Sequence, residues 1–205
     1  MSTLLQIDSS PRQNSVSGQL AASYVEKWAS RNPGATIIRH NTALEKLPYV
    51  DEAMLSAMFT PEEARSEEQK QLLALSDQLV DELLTADVLV LAVPMWNLGI
   101  PASLKAWVDL ISRAGKTFRY TATGVESLVP AGKKVVVVTS RGGSYPAGTL
   151  AHAFDQQEPY LRTVFAFLGL TDLTFIHAEN QSRSGDAPAE SVAKARAELA
   201  ELLAV

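Results

Sequence analysis

The stretch that decides the fold runs Leu4-Leu-Gln-Ile7, then Asp8-Ser-Ser-Pro-Arg-Gln-Asn-Ser-Val-Ser17, then Gly18–Arg31. A short aliphatic run comes first, a polar turn follows, and Leu20, Tyr24, Val25 and Trp28 then recur at the spacing of one helix face. The same alternation continues along the chain. Further runs at Thr36–Arg39, Val88–Val93, Val135–Thr139 and Leu173–His177 read as strands. Several are apolar at consecutive positions, as in strands covered on both faces. Pro101–Arg113 reads as a helix with Leu104, Trp107, Val108 and Ile111 on one side and proline at its start. The last helix, about Ala187 to Leu203, places Val192, Ala195, Leu199 and Leu202 in a stripe. Strand and helix in regular alternation predict an α/β chain, with a parallel sheet between two helical layers.

Two stretches are longer than a simple crossover needs, at about residues 42–84 and 115–132. In the first, Pro61–Leu84 predicts a long helix with Leu72, Leu75, Leu79 and Leu83 on one face, behind a mixed segment containing Met54, Met58 and Phe59. In the second, Thr117-Phe-Arg-Tyr-Thr121 and Gly124 predict a hairpin attached to the sheet edge. Repeats, low-complexity tracts and Pro/Gly/Ser linkers do not occur, so residues 1–205 read as one domain with two elaborations.

Composition narrows the class. The 205 residues are 46% hydrophobic and 20% charged, enough to bury a core without cross-links. No cysteine is present, which excludes thiol nucleophiles, thiolate-held metals and disulfides and fits a cytoplasmic protein. Lys and Arg total 18 against 23 Asp and Glu, a net charge of −5. Binders of nucleic acid show the opposite balance, so that partner is not expected. The apolar runs are too short to span a bilayer and the first ten residues do not resemble a signal peptide, so no membrane partner is expected either. His40, His152 and His177 lack ligand spacing and read as structural or surface residues, with no metal site expected.

In open parallel sheets, ligands collect beyond the carboxyl ends of the strands. After strand one, Ser9, Ser10, Ser15 and Ser17 offer hydroxyls beside a helix start, where backbone N–H groups lack acceptors and suit a phosphate. Serines there also act as caps and turn formers, and both readings fit. After strand three, Pro94-Met-Trp-Asn-Leu-Gly-Ile-Pro101 offers an apolar surface and one amide for a planar heterocycle, or else a tight loop with a core tryptophan. After strand four, Ser140-Arg-Gly-Gly-Ser-Tyr-Pro-Ala-Gly148 offers backbone amides at Gly142 and Gly143, or a flexible turn. No G-x-G-x-x-G follows the first strand. Gly115-Lys116-Thr117 fails as a phosphate loop because Leu110 stands where its first glycine belongs.

Pro94-Met-Trp-Asn97, Ile100-Pro101, Leu104-Lys105, Trp107 and Asp109 form one set of more specific pieces. Ala114–Thr121, Gly132-Lys-Lys134, Thr139-Ser-Arg-Gly-Gly143, Pro159-Tyr-Leu161 and Phe167-Leu-Gly169 form another. Together they resemble the flavodoxin-like FMN-dependent NAD(P)H azoreductase and quinone reductase family over essentially the whole chain. The resemblance implies a doubly wound five-stranded parallel sheet of order 2-1-3-4-5, one FMN per subunit, and a homodimer with active sites at the interface. It implies a two-electron ping-pong exchange between NADH or NADPH and quinones or azo compounds. The FMN phosphate would be held by Ser10, Ser15, Val16 and Ser17. Met95, Trp96, Asn97 and Leu98 would flank the ring, with Asn97 toward its central nitrogen edge. Ser140, Arg141, Gly142 and Gly143 would meet the pyrimidine side. Phe59, Phe118, Tyr120, Tyr145 and Phe165 are candidate substrate walls, or else ordinary core residues. Trp96 departs from the tyrosine frequent in relatives, and no role attaches to Pro11 or Arg12. A flavodoxin-type electron carrier is the rival reading, set back by the dimer-scale insertion and modest acidity. A flavin-free regulatory protein of the same fold is a third.

Overall fold

The computed structural model describes residues 2–204. Five strands, β1 (Thr3–Asp8), β2 (Thr36–Asn41), β3 (Val88–Pro94), β6 (Lys134–Ser140) and β7 (Asp172–Ala178), form one parallel sheet in the order β2-β1-β3-β6-β7. With the two hairpin strands left out of the numbering, this is the expected 2-1-3-4-5. Registers pair Asp8 with Asn41 and Ala92, and Ser140 with Pro94 and Ala178, so the carboxyl ends share one edge. The chain leaves β1 in one direction to reach β2 and in the other to reach β3, which makes the β1/β3 junction the switch point of the sheet.

Alternate residues of each central strand feed opposite cores. Leu5, Ile7, Leu89, Leu91, Val93, Val135 and Val137 pack with α3 (Glu67–Thr85), α4 (Ala102–Ile111) and α5 (Glu158–Phe167). Leu4, Val88, Val90, Ala92, Val136, Val138 and Ile176 pack with α1 (Val16–Arg31) and α6 (Ala187–Glu201). All seven residues of β3 are buried, which explains its uninterrupted apolar run.

The structure corrects two expectations about the elaborations. Residues 42–84 hold two helices, not one long helix after a mixed segment. Asp51 caps α2 (Glu52–Phe59) by accepting from Met54 N at 2.8 Å, and a 3₁₀ turn at Glu62–Ala64 precedes α3. Ser66 and Gln69 close a reciprocal capping box that starts α3 six residues later than Pro61. Its buried stripe is Leu73, Ser76, Leu79, Val80 and Leu83, while Leu72 and Leu75 lie only partly buried beside it. The stripe is rotated because Ser76 is an inward polar residue: its hydroxyl donates to Leu110 O and accepts from Arg113 Nη1, both at 2.6 Å.

The predicted hairpin exists as β4 (Phe118–Thr121) and β5 (Gly124–Ser127), but it forms its own two-stranded sheet and does not extend the large one. It is anchored at the end of α5, where Phe118 packs 4.8 Å from Phe167 and Ser127 Oγ donates to Leu168 O at 2.6 Å. Gly169, at φ +77°, lies so close to Ser127 that a Cβ would stand 2.4 Å from its hydroxyl.

Lys133, only 7% exposed, places its ammonium against Leu84 O and Ala86 O, the carbonyls that end α3. Burial lowers its pKa, partly opposed by the charge of Asp87. Replacing it with methionine leaves those carbonyls unpaired, so Lys133→Met is expected to lower unfolding stability by about 1–3 kcal/mol in urea titration. A stability equal to or above the parent would show that desolvating the ammonium costs more than its bonds return.

Candidate functional site

Three loops meet at the carboxyl edge of the sheet. The first joins β1 to α1. Ser9 is turned inward, its hydroxyl donating to Ala92 O at 2.9 Å, so it is committed to the fold. Ser10 Oγ accepts from Arg12 N at 3.2 Å and Asn41 Nδ2 donates to Ser10 O at 3.1 Å, which ties the turn to β2. Ser15 caps α1, accepting from Gly18 N at 3.3 Å, and its hydroxyl lies 3.1 Å from that of buried Ser17. The capping reading of Ser15 is observed, and the anion reading is a proposal. Ser15 is a cap, and the N–H groups of Val16 and Ser17 at the same helix start have no acceptor among the described residues. Gly18 is required by Asp8: a Cβ would meet Asp8 Oδ2 at 2.6 Å. Burial raises the Asp8 pKa, opposed by N–H donation from Ser10 and Ser9, so charge beside the helix start is disfavoured.

The second loop follows β3. Met95 N donates to Ser140 O at 2.8 Å, and Trp96 and Gly99 exchange backbone hydrogen bonds at 3.0 Å each around Asn97 and Leu98. Those two residues sit at φ +48° and +72°. A two-residue turn of this kind needs consecutive left-handed residues, easy for asparagine and costly for leucine by about 1–3 kcal/mol. The strain turns apolar surface outward: Trp96 is 43% and Leu98 39% exposed.

The third loop follows β6. Gly142 O accepts from Ser182 N and Gly143 O from Asn180 N, each at 3.1 Å, while the N–H groups of both glycines have no protein acceptor among the described residues. Gly142 has a packing reason as well, since a Cβ there would lie 2.8 Å from Ser182 Oγ. Glu179 holds the far side, accepting from Ser144 Oγ at 2.5 Å and Tyr145 N at 3.2 Å. Arg141 turns away from the loop surface. It is 2% exposed and bonded to Asp155 at 2.9 Å and Gln157 at 3.1 Å. Its guanidinium lies beneath the loop, 5.9 Å from the Tyr145 ring centroid and 3.9 Å from Glu179.

Of the candidate wall residues, only Tyr145 stands in these loops. Phe165 has no accessible surface and belongs to the core, which corrects its reading as a wall. Phe118 is buried between Tyr120 and Phe167. Tyr120 and Phe59 are 71% and 67% exposed, and Phe59 borders a separate cleft with Arg65 and Lys116. A pocket of about 810 Å³ borders Arg141 and Tyr145 without the glycines between them and is lined by groups of α5, β7 and α6, Glu158, Arg162, Glu190 and Lys194 among them. Asp155, Gln157 and Glu179 escaped the sequence reading because no spacing or motif marks them.

A family model described as flavodoxin-like fold matches residues 2–203. An FMN-dependent NADH:quinone oxidoreductase of a Nostoc strain is 46% identical over 205 residues, covering 100% of this chain and 99% of its own. The chain belongs to this family of flavodoxin-like azoreductases and quinone reductases. Its namesake from Burkholderia pseudomallei is 46% identical over 201 residues, 98% of this chain and 99% of its own. Among solved structures, an FMN-dependent NADH-azoreductase from Bacillus anthracis in complex with FMN superposes with a TM-score of 0.90 at 25% identity, covering 100% and 98% of the two chains. Membership accounts for the sheet order and for the three loops gathering at one edge.

Close to the third loop, Glu158 accepts from His177 Nε2 at 2.9 Å and from Arg162 at 2.6 Å, while His177 Nδ1 lies 2.8 Å from Thr139 Oγ1. The His177 hydrogen bond, aided by Arg162 and opposed by burial, lowers the Glu158 pKa from 4.5 to about 2. A depressed carboxylate stabilises the fold above its unfolded pKa and loses that contribution as the pH falls through the folded one. The melting temperature of Glu158→Gln is therefore expected below the parent's at pH 6, by a margin worth at most about 3 kcal/mol, and the margin should shrink between pH 4.5 and 2. A pH-independent margin would place the loss in packing.

Proposed function

We propose that the chain is an FMN-dependent oxidoreductase that takes hydride from NADH or NADPH and reduces quinones and azo compounds. The observation that carries this reading is the pair of unsatisfied N–H sets on one sheet edge, Val16 and Ser17 at a helix start and Gly142 and Gly143 in a turn, with exposed Trp96 and Leu98 on the loop between. A mononucleotide bearing an aromatic ring system fits that donor set: a dianionic tail for the helix start, a flat apolar body for the second loop, and a polar ring edge for the glycines. The relatives named as FMN-dependent quinone oxidoreductases, and the azoreductase in complex with FMN, support the same assignment.

Bound FMN would supply the hydride chemistry, alternating between NAD(P)H and the quinone or azo acceptor in a two-electron ping-pong cycle. The chain supplies orientation and electrostatics. Ser10, Ser15, Val16 and Ser17 would grip the phosphate, the last two through backbone N–H groups reinforced by the helix dipole. Met95, Trp96, Asn97 and Leu98 would bound the ring, with the left-handed turn fixing Asn97 near its edge. Ser140, Arg141, Gly142 and Gly143 would face the pyrimidine side, where fixed amides favour developing negative charge without reorganising. No side-chain nucleophile is required.

A homodimer belongs to this reading. Leu44, Tyr49, Leu55 and Phe59 are 48–73% exposed on the segment around α2, apolar surface that a second copy would cover. At that interface Phe59 and Tyr120 would wall a substrate held by the neighbouring subunit, with Phe118 behind Tyr120. The cysteine-free composition favours a cytoplasmic setting, and no helix among the described residues is long and apolar enough to cross a membrane.

The purified protein with added FMN is expected to show flavin absorption near ~450 nm that NADH bleaches under anaerobic stopped-flow mixing. Bleaching that requires a separate reductase would favour an electron carrier, and failure to retain FMN would end the proposal. Ser17→Asp sets a carboxylate beside the phosphate and is expected to weaken FMN binding by about 100-fold or more in fluorescence titration. Undiminished affinity would remove Ser17 from the grip.

A further inference from the structure

We infer that Asp155 and Gln157, on the segment entering α5, are positioning residues that act through Arg141 to hold the second and third loops at a fixed separation. The inference rests on the FMN reading above, and it assigns a role to side chains that have none in that reading.

The arrangement is a closed circuit of buried polar groups. Arg141 Nη1 lies 2.9 Å from Asp155 Oδ2, and Nε donates to Gln157 Oε1 at 3.1 Å. Gln157 is fully buried, and its Nε2 donates to Val93 O at 3.1 Å. Val93 stands two residues before Met95, so the bond reaches the root of the second loop. Gln156 N donates to Leu98 O at 3.0 Å and so grips the strained turn itself. Asp155, 4% exposed, uses its other oxygen to accept from Gln157 N at 3.0 Å and Glu158 N at 3.1 Å, which keeps the connecting segment rigid. From Gly142 to Leu98 the route is one arginine, one glutamine amide and one backbone turn.

Such a circuit is an expensive way to fill a core. A buried ion pair seldom outperforms apolar side chains of the same volume in stability, because desolvation consumes most of its attraction. What it adds is direction: each bond fixes an angle as well as a distance. Two successive glycines are the least constrained backbone available, and amides stabilise charge on a ligand only if they are already aimed. The carbonyls of Gly142 and Gly143 are fixed from the β7–α6 side, and Glu179 fixes Ser144 and Tyr145. Arg141 is the tether on the remaining side, and Gln157 refers it to β3.

The test compares the parent with Gln157→Leu, which removes both amide bonds, Gln157→Glu, which keeps the acceptor for Arg141 and loses the donor to Val93, and Asp155→Asn. Thermal unfolding of each apo-protein is measured beside the dissociation constants for oxidised and reduced FMN. Gln157→Leu is expected to weaken binding of reduced FMN about tenfold more than oxidised FMN, a fall of about 30 mV in the two-electron midpoint potential. Gln157→Glu should fall between it and the parent. Should Gln157→Leu fail to fold, Asp155→Asn carries the same expectation in the same direction. Apo-proteins that melt lower while the potential stays at the parent's value would reduce the circuit to a structural role and overturn the inference. A parent that binds no FMN would instead overturn the functional reading, independently of any variant.

Discussion

Backbone N–H groups left without acceptors at the carboxyl edge of the sheet are the constraint around which this molecule is arranged. A helix start and a glycine turn each leave N–H groups outside the backbone ladders, open to an incoming acceptor. Two such sets share this edge, at Val16 and Ser17 and at Gly142 and Gly143, and neighbouring groups that could have satisfied them are engaged elsewhere. Ser9 donates across the sheet to Ala92. The Ser15 hydroxyl is taken by Gly18 N and Ser17. Asp8, the nearest carboxylate, is held by the N–H of Ser10 at 2.9 Å, and burial raises its pKa. On the FMN reading proposed above, these donors serve the phosphate and the ring edge of the cofactor.

The rest of the fold keeps that edge rigid. A sheet buried on both faces cannot shift one strand without disturbing two cores, so the loops that leave β1, β3 and β6 start from fixed points. Strain is tolerated where it is useful: Leu98 occupies a left-handed conformation, and Gln156 holds it there from the segment before α5. The polar groups buried in this region, Arg141, Asp155 and Gln157, satisfy one another across elements that are distant in sequence. Arg141 Nη2 differs: it is buried without a hydrogen-bond partner among the described residues and lies 3.7 Å from Glu158.

Most of the architecture was legible because its signals are local. Each of the five strands extends no more than two residues beyond the apolar run that marked it, and α1, α4 and α6 carry their apolar stripes in the primary sequence. The errors have physical causes. The face of α3 was misread because an inward serine, paired with Leu110 and Arg113, interrupts its leucines. α2 is eight residues long, too short for periodicity to speak, and its outward Leu55 and Phe59 blur the pattern further. α5 went unnoticed although Leu161, Phe165 and Leu168 recur at helical spacing, because its aromatic residues suggested a binding wall. The hairpin was recognisable, but its docking on α5 depends on Phe167 and Leu168, some forty residues away. The three loops at the carboxyl edge were visible as motifs. The side chains that brace them were not, since Asp155, Gln157 and Glu179 acquire meaning only from what the fold places beside them.

Amide resonances offer the most direct check on the central claim. In a ¹⁵N-labelled sample titrated with FMN, the amides of Val16, Ser17, Gly142 and Gly143 are expected to show the largest proton shifts, downfield, and to become protected from hydrogen exchange. Gly18 and Gln19, already bonded to Ser15, should move far less. Equal perturbation of all six, or shifts confined to the pocket beside β7, would contradict the account.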